Sequence, residues 1–475
     1  MFPDMAHDST DRIVAALRTW IASAPAGTQL PSSRRISAEH GASPVTVQKA
    51  LHRLTAQGLI DARPGVGTFV RGSRMRPPAD FGWQTAALGA PQGRHPDLSV
   101  TQRPGAPDAI ALHSGYPASE LLPGGLVRAA LARAARSDAA VRRAPADGLA
   151  ELREWFAAEL AAVTAPEVSP VSARDVVIVP GSQSGLASVF RAAVGEGRPV
   201  VVESPTYWGA MVAAAQAGVT LVPVASGPEG PDPDDVERAL ASSGARAFYA
   251  QPTFANPHGA QWTDERARAV LEVVRRRGAF LIEDDWAHDL AIDSDPSPLA
   301  RLDQDGHVIY IRSLTKSVSP ALRVAAVIAR GPARERIAAD RTADAMYVSG
   351  VLQAAALDVV TQPAWRRHLR AQRSALRVRR DALLGGIRQH LPQCTVALVP
   401  AGGLNLWVRL PDGTDVAAFV RAAAVRDVLI ADGREWFPAE TPGPYVRLNY
   451  AGPSPERYDE GMRLLSEALA EQVIR

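Results

Sequence analysis

Lysine is almost absent from this chain. Lys49 and Lys316 are the only two lysines among 52 basic residues. Arginine keeps its proton at any workable pH, whereas a lysine amine can lose its proton and attack a carbonyl carbon. Lys316 lies in Ser313-Leu314-Thr315-Lys316-Ser317, just after the apolar run His307-Val308-Ile309-Tyr310-Ile311. An amine just past the end of a buried strand is a candidate for Schiff-base chemistry. Lys49 lies far away, in a segment that reads as a DNA-binding helix, and is either functional or a chance survivor.

Three further segments, with two neighbours of Lys316, complete a constellation around it. Pro180-Gly181-Ser182-Gln183-Ser184-Gly185 joins a strand pattern to a helix pattern. Its N–H groups and hydroxyls suit a phosphate at a helix N-terminus. Ala255-Asn256-Pro257-His258-Gly259 lies past another strand end, and Ile282-Glu283-Asp284-Asp285-Trp286 ends a third. Ser313, Lys316 and Arg323 bring a hydroxyl, an amine and a cation within eleven positions. Strand C-termini of an open α/β sheet converge on one crevice. A phosphate anchor, an acid, an amide and a lone lysine there describe a pyridoxal phosphate site. Taken singly, Asp284 could be a helix cap, Arg447 a surface ion pair and Asn256-Pro257 a turn. Order and spacing together argue for the cofactor. No metal is called for.

The elements that must hold these residues are legible. Strands are expected at Val176–Pro180, Val200–Glu203, Thr220–Val224, Ala245–Gln251, Ala279–Asp284, Val308–Arg312 and Arg323–Ala329, most of them unbroken apolar runs of the kind buried on both faces. Helical segments such as Glu265–Arg277 separate several of them. The pattern predicts a doubly wound α/β domain over 109–380. A smaller α+β domain over 381–475 follows, with strands at Gln393–Leu410 and Tyr445–Ala451 and helices at Val416–Val425 and Pro455–Gln472.

Residues 8–72 read differently. Arg12–Ala22 has an amphipathic helical pattern. Ser32 or Ser33 can cap a helix over Arg35–His40. Ser43-Pro44 starts a third helix, with Ser as N-cap and Pro at the first helical position, running to about Gln57. Leu59–Arg63 and Gly67–Val70 read as a hairpin around Pro64-Gly65-Val66. Three helices and a wing make a winged helix-turn-helix. Residues 73–108, with Pro77, Pro78, Pro91, Pro96, Pro104 and Pro107, read as a semi-extended linker on which Phe81 and Trp83 are expected to dock.

Bulk properties bound the function. At 475 residues, two or three domains are expected. The single Cys394 excludes an intramolecular disulfide and fits a reducing compartment. No apolar run is long enough to span a bilayer, and the first ten residues lack a signal-peptide core, so a cytoplasmic location away from membranes is expected. Net charge is +2, yet residues 1–76 hold ten Arg/Lys against five Asp/Glu, so that segment is +5 and the rest −3. A small basic module on a near-neutral body suggests an anionic polymer as partner.

Residues 110–475 resemble the fold-type I aminotransferases on the segments quoted above. The resemblance implies that Lys316 forms an aldimine with pyridoxal 5'-phosphate and that Asp284 pairs with the ring nitrogen. It implies that Asn256 bonds the ring hydroxyl and that Tyr207, in Ser204-Pro205-Thr206-Tyr207-Trp208-Gly209, stacks on the ring. Ser182, Gln183, Ser313 and Arg323 would hold the phosphate. Arg447, in Val446-Arg447-Leu448-Asn449-Tyr450, would take a ligand carboxylate. Two positions depart from the pattern: Trp286 stands where a tyrosine hydroxyl usually bonds the ring oxygen, and Arg143 where a tyrosine usually reaches the partner subunit's phosphate.

The N-terminal module resembles the GntR regulators through Leu30-Pro31-Ser32-Ser33-Arg34, Ser43-Pro44-Val45-Thr46-Val47 and Gly65-Val66-Gly67-Thr68-Phe69-Val70. By that resemblance Arg34, Ser43, Thr46, Gln48 and Lys49 face double-stranded DNA, and the Gly65–Gly67 wing tip approaches the minor groove. Pro44 and Gln48 stand where arginine is frequent. The two parts together resemble the MocR/GabR-like regulators. That implies a homodimeric DNA-binding transcription regulator answering an amino-acid-like effector through an external aldimine. A working aminotransferase with a DNA-binding appendage is the alternative, because the catalytic residue types are all present.

Overall fold

Two serines open the helices of the N-terminal module. Ser32 accepts the N–H of Arg35 at 3.3 Å and Ser43 that of Thr46 at 3.2 Å. These caps satisfy donors that have no partner inside the helix. The structure is a computed structural model that describes residues 5–71, 81–88, 105–106 and 108–473. It divides into two units, residues 1–92 and 93–475.

The first unit contains α1 (Met5–Ser23), α2 (Ser33–His40), α3 (Pro44–Ala56), β1 (Ile60–Arg63) and β2 (Gly67–Val70). Ile13, Leu17, Ile36, Val47, Leu54 and Ile60 form one core. β1 and β2 pair antiparallel, Ile60 opposite Val70 and Arg63 opposite Gly67. α1 starts seven residues before the expected Arg12, because residues 5–11 include neither proline nor glycine to stop it. Most of the expected linker lies outside the described residues. Within it, Gly82–Leu88 is a helix rather than an extended spacer, in a stretch free of proline. Phe81 and Trp83, expected to dock, are 62% and 66% exposed.

In the second unit, β3 (Ile110–Ala111) is followed by an eight-stranded sheet. Its strands are β4 (Val176–Val179), β5 (Pro199–Ser204), β6 (Thr220–Gly227), β7 (Gly230–Pro231), β8 (Ala247–Ala250), β9 (Phe280–Asp285), β10 (Val308–Ser313) and β11 (Ala325–Ile328). The order is β4-β11-β10-β9-β8-β5-β6-β7. β10, β9, β8, β5 and β6 run parallel, and β11 runs antiparallel to both β4 and β10, so the sheet is mixed. Apolar clusters cover both of its faces.

The smaller part carries β12 (Asn405–Arg409), β13 (Val428–Leu429), β14 (Ala431–Asp432) and β15 (Tyr445–Asn449), with sheet order β12-β15-β14. Of the strand expected at Gln393–Leu410 only β12 forms; Pro400, Gly402 and Gly403 interrupt the rest. The helix Pro363–His390 runs unbroken through the expected boundary at 380/381, and β3 pairs with β13, so chain from ahead of the large sheet is stitched into the smaller part. Among the described residues no helix is long and apolar enough to cross a membrane.

Candidate functional site

The C-terminal ends of the parallel strands build the site. β8 leads to Gln251 and Asn256, β9 ends at Asp284 and Asp285, and β10 leads through Ser313 to Lys316. Two adjoining pockets are lined by all nine residues expected from sequence: Ser182, Gln183, Tyr207, Asn256, Asp284, Ser313, Lys316, Arg323 and Arg447. These positions span 266 places of chain, from Ser182 to Arg447.

Asp284 is 2% exposed. Its Oδ2 accepts the Tyr249 hydroxyl and the Gln251 Nε2, each at 2.8 Å. Its Oδ1 is buried with no partner. Burial raises this carboxyl to about 6, against the opposing pull of Gln251 and Tyr249. An orphaned carboxylate oxygen at a crevice wall suits a charged N–H from a ligand. Its neighbours on β9 do other work. Glu283 accepts the N–H groups of Leu299 and Ala300, and burial together with Asp285 pushes it to about 8.

Lys316 lies half-buried on the crevice wall, its Nζ 3.0 Å from the ring centroid of Tyr116. Burial, and then the charges of Arg447 and Arg323, hold its pKa well below the usual value. A larger share of neutral amine results, which is the nucleophilic form.

The candidate phosphate end is equally formed. The helix Ser182–Val189 starts after Gly181, whose φ is +91°. A Cβ on Gly181 would lie 2.4 Å from Arg323 Nη2, so only glycine lets this arginine reach the turn. Gln183 Nε2 donates to the Gly209 carbonyl at 2.7 Å. The Ser313 hydroxyl accepts the Thr315 N–H at 3.1 Å. Thr315 Oγ1 is buried without a partner in the same pocket.

Asn256 and Arg447 meet at the other end. Asn256 Oδ1 accepts from Arg447 Nη1 at 3.1 Å and from Trp436 Nε1 at 3.2 Å. With the oxygen so engaged, the amide nitrogen is the end left for a ligand. Arg447 is 1% exposed and donates from Nη2 to the carbonyls of His113 and Ser114. Its Nε has no partner, and burial lowers its pKa to about 10. The carboxylate of Glu435 pulls the other way, but less strongly than burial.

Trp286 lines the crevice, but its indole N–H donates to the Phe254 carbonyl at 3.1 Å. It therefore cannot serve the ligand as a tyrosine hydroxyl would. Arg143 is exposed on the surface of this chain. The sequence reading missed Tyr116, Gln251, Thr315 and Trp436. Thr315 was legible, sitting between Ser313 and Lys316. Tyr116 and Trp436 come from segments with no local signal. The fit to pyridoxal phosphate is good: an orphan carboxylate oxygen for the ring nitrogen, an amide for the ring oxygen, a helix N-terminus with a free hydroxyl and Arg323 for the phosphate, and a low-pKa lysine.

The chain matches the family "Aminotransferase class I and II" over residues 109–465. It belongs to that family. Members of the family depend on pyridoxal phosphate, and the residues just described fit it. Residues 9–70 match "Bacterial regulatory proteins, gntR family". The chain is 27% identical over 458 residues to the uncharacterized HTH-type transcriptional regulator YdfD of Bacillus subtilis, covering 95% of this chain and 94% of that one. It is 27% identical over 450 residues to the probable rhizopine catabolism regulatory protein MocR of Rhizobium meliloti, covering 93% and 90%. The alpha-aminoadipate aminotransferase of Thermus thermophilus, complexed with N-(5'-phosphopyridoxyl)-L-leucine, superposes with a TM-score of 0.71 at 28% identity, covering 77% of this chain and 93% of that one. An aminotransferase-family domain behind a GntR module makes this a MocR-like transcription regulator.

The DNA-facing candidates lie on the module's surface. Arg34, Ser43, Gln48, Lys49 and Gly65 are exposed, and Thr46 and Gly67 are half-exposed. Ser43 also has its capping role, with its hydroxyl 2.8 Å from that of Thr46. Gly67 has a packing reason of its own: a Cβ there would lie 2.3 Å from Gln29 Nε2, which donates to the Val66 carbonyl in the wing.

Proposed function

We propose that this regulator binds operator DNA in the cytoplasm as a homodimer and senses an amine that also carries a carboxylate, such as an amino acid. The observation that carries this reading is Arg447. It is a buried cation whose Nε has no partner, lining the same crevice as Lys316, in a chain that also holds a DNA-binding module. When bound, the cofactor supplies an aldehyde carbon open to amines. Lys316 is the residue that would hold that carbon and release it to an incoming amine. Asp284 Oδ1 would accept the ring N–H, Asn256 would donate to the ring oxygen, and Tyr207 would lie against the ring. Ser182, Gln183, Ser313, Thr315 and Arg323 would hold the phosphate. Arg447 would bind the effector's carboxylate through charge-assisted hydrogen bonds.

Residues 8–72 would then read DNA through Arg34, Ser43, Thr46, Gln48, Lys49 and the Gly65–Gly67 tip, joined by 73–108 to the sensing part at 109–475. An effector alters DNA affinity only if it binds two conformations differently. The test is operator binding by the cofactor-loaded full chain, titrated with amino acids and with simple amines. Acid-free amines acting as strongly as amino acids would overturn the reading. A second reading, a working aminotransferase, is favoured by one observation: Lys316 and an unpaired Asp284 oxygen line one crevice. Steady keto-acid production at many turnovers per minute would favour it.

A further inference from the structure

A second cavity, of about 630 Å³, lies between the β5–β6 side of the large sheet and the β12–β15 sheet of the smaller part. Its lining is mainly apolar. Trp407 and Tyr445 stack with ring centroids 5.1 Å apart and planes 5° from parallel. Phe437 tilts against Trp407 at 6.1 Å, and Pro205 and Pro223 close the opposite side. Such a volume and such walls suit a small organic molecule.

One side chain of this lining is buried with an unpaired polar atom. His258 is 9% exposed. Its Nδ1 lies 3.2 Å from the backbone N–H of Ala260 and accepts from it. Burial lowers the ring's pKa to about 4, so it is neutral near pH 7. A neutral imidazole that accepts at Nδ1 carries its proton at Nε2. That Nε2 is buried and has no partner. A buried donor without an acceptor is costly, so a bound acceptor is favoured there.

We infer that this cavity is a second small-molecule site, for an uncharged planar ring that carries a hydrogen-bond acceptor. The ring lies against the Trp407–Tyr445 wall and its acceptor takes the Nε2–H of His258. Glu440 is the one carboxylate among the described residues that line the cavity, and no lysine or arginine lines it. An anionic ligand would therefore meet repulsion and no counter-charge, and a cationic ring without an acceptor would leave the His258 Nε2–H unpaired. The site is also connected to the cofactor crevice. Trp407 packs edge-on against Trp436 at 6.0 Å, and Trp436 donates to Asn256. The inference does not rest on the regulatory reading.

The test uses the full chain loaded with pyridoxal phosphate, with benzamide, benzoate and benzyltrimethylammonium as probes in calorimetry. Benzamide is expected to bind at least tenfold more tightly than either charged probe. Ala225→Trp, on an exposed position of β6 at the cavity wall, fills the space and is expected to reduce benzamide affinity at least tenfold. His258→Phe keeps a ring but removes the donor, and is expected to cost roughly three- to tenfold. If His258→Phe fails to fold, Ala225→Trp carries the test alone. The inference is overturned by no benzamide binding at millimolar concentration, by binding that Ala225→Trp leaves unchanged, or by a preference for either charged probe.

Discussion

Arg447 and Asn256 are hydrogen-bonded across the crevice, Nη1 to Oδ1 at 3.1 Å, although 191 positions separate them in sequence. The bond gives each a defined task. It fixes the asparagine's oxygen away from the cofactor site, and it holds the arginine's plane against Trp436, 4.5 Å from the ring centroid. The end proposed to bind a carboxylate and the end proposed to bind the cofactor ring therefore share one contact.

Removing the arginine separates the two ends. Trp436 still holds Asn256 in Arg447→Ala, so cofactor loading should persist. Affinity for an amino acid should fall by about 2–5 kcal/mol, the usual cost of truncating one partner of a buried charge pair. Arg447→Lys should not rescue it, because a point charge cannot copy the planar fork. Absorbance titrations of the bound cofactor with amino acids would measure both. Normal titration of Arg447→Ala would refute the assignment.

Lys316 is the only lysine of residues 109–475. Lys316→Arg keeps a cation but has no amine that can lose its proton. The covalently held cofactor, detected as borohydride-fixed pyridoxyl label, should disappear while the circular dichroism spectrum stays unchanged. Label that survives in the variant would show another attachment point.

Asp284 makes a pH prediction. Its pKa in the fold, about 6, lies above the ordinary 3.8 of an aspartate. A raised carboxyl favours the neutral form, so its ionisation withdraws stability from the cofactor-free protein. The penalty is absent below about pH 4 and complete above about pH 7, and amounts to roughly 2–3 kcal/mol. Asp284→Asn should therefore unfold at higher urea than wild type at pH 8 and at a similar urea concentration at pH 4, both without cofactor. The same variant should bind the cofactor weakly at either pH. Equal urea midpoints at pH 8 would contradict the burial argument.

What sequence could reveal followed from how local each signal is. The β10 run and Lys316 lie within ten positions, so the amine and its strand are legible together. The same holds for Ser43 capping α3 and for Asp284 ending β9. The Tyr116 contact to Lys316 joins residues 200 positions apart and leaves no local pattern. The unbroken helix Pro363–His390 hid the transition between the large and small parts, because a continuous helical period carries no mark of which core each turn faces. The strand expected at Gln393–Leu410 was read through Gly402 and Gly403. Those glycines pack instead against Phe254, where a Cβ on Gly402 would lie 2.4 Å from its ring.

Arg143 bears on the oligomer. It is exposed in this chain, at the position where the aminotransferase resemblance implies a side chain that reaches across to a partner. A homodimer in which it does the same should sediment at twice the monomer mass at micromolar concentration. Arg143→Ala should then loosen the cofactor without touching any residue of its own crevice. A cofactor-loaded monomer would rule this out.

The proposed DNA-reading surface includes the exposed start of α2. Arg34 is exposed on α2, one position after its first residue Ser33, where positive backbone dipole ends and a guanidinium face the same solvent. Arginine pairs bidentately with guanine, whereas a lone phosphate contact is indifferent to sequence. The two roles separate by experiment. If Arg34 reads a base, Arg34→Ala should cost roughly 1–3 kcal/mol on the operator and little on unrelated duplex, with the salt slope nearly unchanged. If it contacts phosphate, the loss should be uniform across sequences and the slope of log affinity against log salt should fall by about one. Equal affinity of variant and wild type at every salt concentration would remove Arg34 from the interface, and would move the recognition surface to Gln48 and Lys49 on α3.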